Sequence, residues 1–297
     1  MYTLEDRATF DDVSRALTSG RHDLILTHDS RAEVMRRLGQ VIHGAYDFDG
    51  TLNHRSHWAH LVEHLPEPLR EEDVADLAWY TSISHDEQEQ TPSIEHPDWF
   101  HGVIDFRNRG VVEGAYVSRA IARLVRGEIT EDHVRTSGQR IQLRTGVTEL
   151  FGLMHRSVVI SLGMEDVIRA CLDHHGLTAA AVVATRLRFD ADRRLSGYEP
   201  TSVVVGSTKD IAVERFQRCV KADLNHLLIV GDSIGDIGMM RSGAFNVLMV
   251  PHSETQAIQA AYRLKHLRTM WGKVCAIVIS QSILPLTELI QDARRAA

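Results

Sequence analysis

Cysteine is scarce in this 297-residue chain: Cys171, Cys219 and Cys275 stand far apart, with no CxxC spacing. That excludes a disulfide framework and a zinc knuckle, and it points to a reducing, cytoplasmic setting. No apolar run approaches the ~20 residues of a spanning helix. The opening "MYTLEDRATFDD" is acidic and lacks the basic and apolar regions of a signal peptide. A soluble protein with no membrane partner is expected. Clustered Lys and Arg are missing as well. The net charge is −7 with both signs interspersed, so no basic face is available to neutralise phosphates, and a nucleic-acid polymer is excluded as partner. There is no GxxxxGK[ST], which removes a P-loop kinase.

What is present is an apolar content of 43%, enough in a chain of this length for one large domain and a smaller one. Six β-rich runs recur: "VIHGAYDF" (41–48), "SVVIS" (157–161), "AAAVVAT" (179–185), "HLLIVGD" (226–232), "NVLMV" (246–250) and "CAIVIS" (275–280). Helical patterns separate them, notably 164–176, which ends at Gly176, and 208–222. This alternation predicts an α/β class with a Rossmann-like parallel sheet covered on both faces. Residues 53 to about 143 break the pattern. They are rich in charge, histidine and aromatics and hold helical segments, so they read as an inserted α-helical cap over the C-terminal ends of the strands, where open α/β sheets bind ligands. The domain reading is therefore a core of 1–52 and 144–297 and a cap of 53–143. Residues 1–40 form an N-terminal helical extension of two helices.

Three strand ends carry chemistry. The first presents Asp47 and Asp49, then Gly50 for a sharp turn and Thr51 with its hydroxyl. The second ends at Ser161, with Leu162 and Gly163 entering a helix, so that a hydroxyl and backbone N–H groups converge on a point suited to an anion. A third ends in "GDSIGD", presenting Asp232 and Asp236, while Lys209 lies just before a crossover helix in "GSTKD". Hard oxygen donors on flexible turns suit Mg²⁺, held by a few carboxylates together with substrate phosphate.

"DFDGTL", "VVISLG", "STKD" and "GDSIGD" resemble, in order and spacing, the four motifs of the haloacid dehalogenase superfamily of phosphatases, with a C1-type cap between the first two. The run "LRTGVTELFGLMHRSVVISLGMEDVIRACLDHHGL" is similar to the second-motif region of cytosolic pyrimidine 5'-nucleotidases, with Leu162 in place of that subgroup's alanine. The resemblance implies Asp47 as nucleophile and Asp49 as general acid and then base. It implies Mg²⁺ held by Asp47, Asp49 through its carbonyl, and Asp232. Thr51, Ser161, Leu162 and Gly163 would hold the phosphoryl group, and Lys209 would neutralise charge on Asp47 and the phosphate. Asp236 would orient Lys209 or a metal-bound water. The second aspartate favours phosphoester chemistry over dehalogenation, because a departing halide needs no proton.

The function expected is a Mg²⁺-dependent phosphomonoesterase acting on a small metabolite, with a nucleoside monophosphate or nucleotide-like intermediate favoured. Alternatives are a non-nucleotide phosphatase, a phosphotransferase, or a catalytically silent binding protein of the same fold. A homodimer is left open. In the cap, His54, His57, His60 and His64 recur at three or four residues, so a helix would place them on one face, either solvated, substrate-facing or metal-binding. Trp79, Tyr80, Trp99 and Phe100 would stack on a substrate ring or pack the cap's own core. Arg107, Arg109 and Arg144 are candidates for an anionic substrate, while the resemblance also gives Arg144 a structural place, in the opening to the second Rossmann-like half.

Overall fold

Alternation along the central strands divides the core into two faces. Tyr46, Val159, Leu228 and Val230 belong to one apolar cluster, while Ala45, Val158, Ile160, Leu227 and Ile229 belong to another. Strands buried on both sides read as unbroken apolar runs, which is why these segments stood out in the sequence. The computed structural model describes residues 2–54, 56–82, 108–250 and 267–296.

The sheet has eight strands: β1 (Thr3–Glu5), β2 (Leu24–Leu26), β3 (His43–Tyr46), β4 (Arg156–Met164), β5 (Ala181–Thr185), then, after a hairpin of β6 (Leu187–Phe189) and β7 (Leu195–Tyr198), β8 (Leu227–Gly231), β9 (Phe245–Val250) and β10 (Ala276–Ile279). Their spatial order is β1-β2-β10-β9-β8-β3-β4-β5. All pairings are parallel except β2 with β10. The expected parallel core is therefore found, extended into a mixed sheet by strands that the sequence reading did not contain. From β3 the chain moves outward through β4 to β5, then returns to the opposite side of β3 with β8. That reversal makes the C-terminal end of β3 a topological switch point, where a crevice opens.

Residues 10–18 (α1) and 31–40 (α2) are helices, with β1 before α1 and β2 between the two. Helix α1 starts on a capping box at Thr9 and Asp12. Val34 and Leu38 of α2 share a core cluster with Leu286, Leu289 and Ile290 of the C-terminal helix (Leu284–Ala296). Val13 and Ala16 of α1 pack with Leu24, Leu26, Ile277 and Ile279, the alternate positions of β2 and β10, so the two N-terminal helices cover opposite faces of the sheet near its β1 edge.

Between β3 and β4 the described residues form α3 (Trp58–Val62), α4 (Glu67–Ser82), α5 (Asn108–Arg126), α6 (Glu131–Gln139) and α7 (Val147–Leu153). Buried Arg123 of α5 bonds Asp73 and Asp76 and ties α5 to α4. Two helices follow in the core, α8 (Glu165–His174) and α9 (Lys209–Val220). No helix among the described residues is long and apolar enough to cross a membrane.

Candidate active site

Asp47 follows β3 directly, and its backbone N–H donates to Val230 O at 2.9 Å, which continues the ladder one residue beyond the strand. Its side chain is buried. Lys209 is buried as well, and its Nζ donates to Asp47 Oδ1 and to Asp236 Oδ1, both at 2.7 Å. Asp236 is fully enclosed: its Oδ2 accepts from the backbone N–H groups of Asp232 and Ser233 and from the Ser233 hydroxyl. One ammonium is thus shared by two carboxylates from different strand ends, and Asp236 fixes where it stands.

Burial pushes the Asp47 carboxyl up to about 7, the Asp236 charge adds to that, and Lys209 opposes it. Burial works against the charge on Lys209, but Asp236 and Asp47 outweigh it and raise its pKa. Carboxylate oxygens of Asp47, Asp232 and Asp236 lie within 4.8 Å of one another. Gly50 makes room for this group. Its φ is +77°, and a Cβ there would come 2.2 Å from Asp232 Oδ2. The donor set is all oxygen and the local balance is negative, which fits a hard divalent cation. Asp47 and Asp232 could hold it, with Asp236 beside them engaged through both oxygens by Lys209 and by backbone N–H groups.

Thr51 is fully buried, and its hydroxyl has no partner among the described residues. Ser161 is buried too, and its Oγ accepts from Gly163 N–H at 3.0 Å. The expectation that Leu162 and Gly163 enter a helix is corrected. Strand β4 runs on to Met164, with an irregularity in its pairing to β5 between Ile160 and Met164, and α8 begins at Glu165. Leu162 is half-buried and packs against the core. Gly163 is needed for a different reason: a Cβ there would lie 2.3 Å from the His57 ring.

The histidine face is also corrected. Helix α3 spans five residues, so His54 precedes it and His64 follows it. His60 sits 3.4 Å from Glu63 Oε1, and His64 stacks on His133 at 4.5 Å between ring centroids. His54 is exposed. His57 has a fully buried side chain whose Nδ1 lies 2.5 Å from Asp49 Oδ2. Trp58, Tyr80 and Tyr116 cluster in the cap, with Tyr80 stacked on Tyr116 at 4.6 Å. Burial pushes the Tyr116 hydroxyl up to about 12, with Asp73 adding and Arg123 opposing, and Trp58 joins this cluster to Asp49 through His57, on which it packs at 4.8 Å between ring centroids. The side chains of Trp79 and Arg109, and residues Trp99, Phe100 and Arg107 altogether, lie outside the described residues.

Two further buried residues brace the site through remote contacts. Arg144, a candidate for substrate, is buried and donates to Gly50 O and Gln281 O, both at 2.8 Å, so it braces the loop after β3. Glu113 on α5 is buried and accepts from Gly206 N–H at 2.5 Å, joining the cap to the loop before Lys209. Neither contact has a local sequence signal, because each partner is remote along the chain.

A family model described as haloacid dehalogenase-like hydrolase matches residues 45–241, which spans all of these strand ends and more than half of the chain. The chain belongs to the haloacid dehalogenase-like hydrolase family. Among solved structures, the fold is similar to cytosolic 5'-nucleotidase IIIB bound to cytidine, with a TM-score of 0.63 at 14% identity, covering 97% of this chain and 99% of that one. A substrate-bound phosphoserine phosphatase complex gives a TM-score of 0.56 at 14% identity, with 84% and 97% covered. A probable phosphoserine phosphatase from Vibrio cholerae gives 0.56 at 13%, with 89% and 69% covered. No curated protein matches the chain by sequence.

Proposed function

We propose that this member of the haloacid dehalogenase-like hydrolases is a Mg²⁺-dependent phosphomonoesterase that works through an aspartyl-phosphate on Asp47. The observation that carries this reading is the buried Asp47 carboxylate, held by Lys209 through Oδ1 and standing at the switch point beside Asp232. Its Oδ2 is the oxygen left to attack phosphorus. Lys209, steered by Asp236, offsets charge on the nucleophile and on the incoming phosphate. The unpartnered Thr51 hydroxyl and Ser161 supply donors for the phosphoryl oxygens, and Asp49 gives a proton to the leaving alcohol and then takes one from water. Asp47, the Asp49 carbonyl and Asp232 would hold Mg²⁺, which supplies positive charge that offsets repulsion between carboxylate and phosphate.

For substrate, the reading favours a nucleoside monophosphate or a nucleotide-like intermediate. It is supported by the near-complete coverage of the nucleotidase fold in both directions and by the aromatic cluster of Trp58, Tyr80 and Tyr116, which reaches Asp49 through His57. A panel of phosphomonoesters assayed with Mg²⁺, covering nucleotides, sugar phosphates and phosphoserine, tests both levels. A best substrate without a base removes the nucleotide assignment, and a panel with no phosphate release removes the phosphatase assignment.

A further inference from the structure

Asp49 stands in a cradle of nitrogen donors. Its Oδ1 accepts from Asn53 Nδ2 at 3.0 Å and from the His57 backbone N–H at 2.9 Å. Its Oδ2 lies 2.5 Å from His57 Nδ1. The other ring nitrogen, Nε2, lies 3.2 Å from the backbone N–H of Met164. A backbone N–H can only donate, so Nε2 accepts and the ring proton sits on Nδ1, pointing at Asp49. The ring has no freedom to exchange these roles. It is fully buried, lies against Gly163, where a Cβ would come within 2.3 Å of it, and packs on Trp58 at 4.8 Å between centroids.

A carboxylate offers about four lone-pair sites. Two donors fill Oδ1, and one fills half of Oδ2. We infer that His57 is a positioning residue for Asp49: its Nδ1–H fixes the carboxylate rotamer and leaves the second lone pair of Oδ2 as the position for proton transfer. The Asp49 side chain is 28% exposed, so it remains open to the crevice while His57 behind it is closed off. Through Met164 N, the same imidazole ties the loop after β3 to the end of β4, so two of the strand ends that build the site share one brace. The inference rests on the acid–base role of Asp49 proposed above.

The test separates the proton-transfer step from the rest of the site. Release of an alcohol from an alkyl phosphomonoester needs a proton, whereas p-nitrophenolate leaves without one. In single-turnover measurements, H57A and H57Q should slow alcohol release from the alkyl ester by ~10–100-fold, a part of the 10²–10⁴ that a positioned acid contributes. The p-nitrophenol burst from p-nitrophenyl phosphate should stay within ~3-fold of wild type in the same samples, since that burst does not call on the acid. H57N should rescue alcohol release, because the asparagine amide nitrogen can stand where Nδ1 stood, whereas the glutamine amide reaches toward Nε2 instead. Adding H57A to D49N should bring no further loss of alcohol release. Equal losses on both substrates, an additive loss on D49N, or full alcohol release in H57A would overturn the inference. If D49N itself released alcohol at the wild-type rate, the acid–base reading of Asp49 would fall first and the role of His57 with it.

Discussion

Asp47 is buried beside Asp236, and its carboxyl is pushed up to about 7 from an ordinary value of 3.8. The substitution Asp47→Asn removes the charge but keeps an oxygen that can accept from Lys209. In the wild type without metal, the folded state binds more protons than the unfolded state between pH ~4 and ~7, so stability must fall as pH rises through that window and stay low above it. Three pKa units at about 1.4 kcal/mol each set an upper bound of roughly 4 kcal/mol. The Lys209 contact that the variant gives up already counts among the contributions to that shift, so roughly 4 kcal/mol stands as the ceiling on the net gain. D47N in chelator at pH 8 should therefore be more stable than wild type, with Tm higher by up to ~10 °C, and the two should converge below pH ~4. Adding Mg²⁺ at pH 8 should raise the wild-type Tm and leave D47N nearly unmoved, because only the charged carboxylate holds the cation well. Urea denaturation and calorimetry across pH, with and without chelator, provide the measurement. A D47N protein less stable than wild type at pH 8 in chelator, or a difference that does not change between pH 5 and 8, would refute the electrostatic argument.

Asp236→Ala should destabilise the fold by about 3–5 kcal/mol, because it takes one of two anionic partners from buried Lys209 and strips the N–H groups of Asp232 and Ser233 of their acceptor. Chemical denaturation at pH 7 checks this, and a loss below ~1 kcal/mol would show that the cluster relaxes around the gap. Gly50→Ala forces a side chain into a left-handed conformation that costs roughly 1–2 kcal/mol and drives a Cβ into Asp232. Mg²⁺-dependent turnover in G50A should accordingly drop more than ~10-fold, with a weakened metal titration curve; normal metal affinity would mean that Asp232 does not hold the cation.

The central sheet was legible because parallel strands buried on both faces leave continuous β-branched runs, as in "HLLIVGD" and "CAIVIS". Strands β1 and β2 escaped because each has three residues, too few for a periodicity, and they exist by pairing with one another and with β10. The hairpin 187–198 is as short, with strands of three and four residues. At the site, Asp47, Lys209 and Asp236 could be found because each sits at a strand or helix end with a recognisable turn beside it. His57, Arg144 and Glu113 had no such marker. The helical spacing of the histidines suggested a shared face, but α3 stops after one turn and a half, so the pattern had no helix long enough to express it. His57 is buried by contacts with Asp49, Gly163 and Met164, the last of them more than a hundred residues away, and such contacts leave no trace in local pattern.

The most direct test of the account is to trap the covalent intermediate. Wild-type protein with Mg²⁺ should be mixed with a radiolabelled phosphomonoester that it turns over, quenched in acid within the first turnover, and mapped by peptide. The account predicts acid-stable, alkali-labile label on the peptide carrying Asp47, and no label and no phosphate release in D47N. Phosphate release that persists in D47N, or label on any other residue, would contradict it.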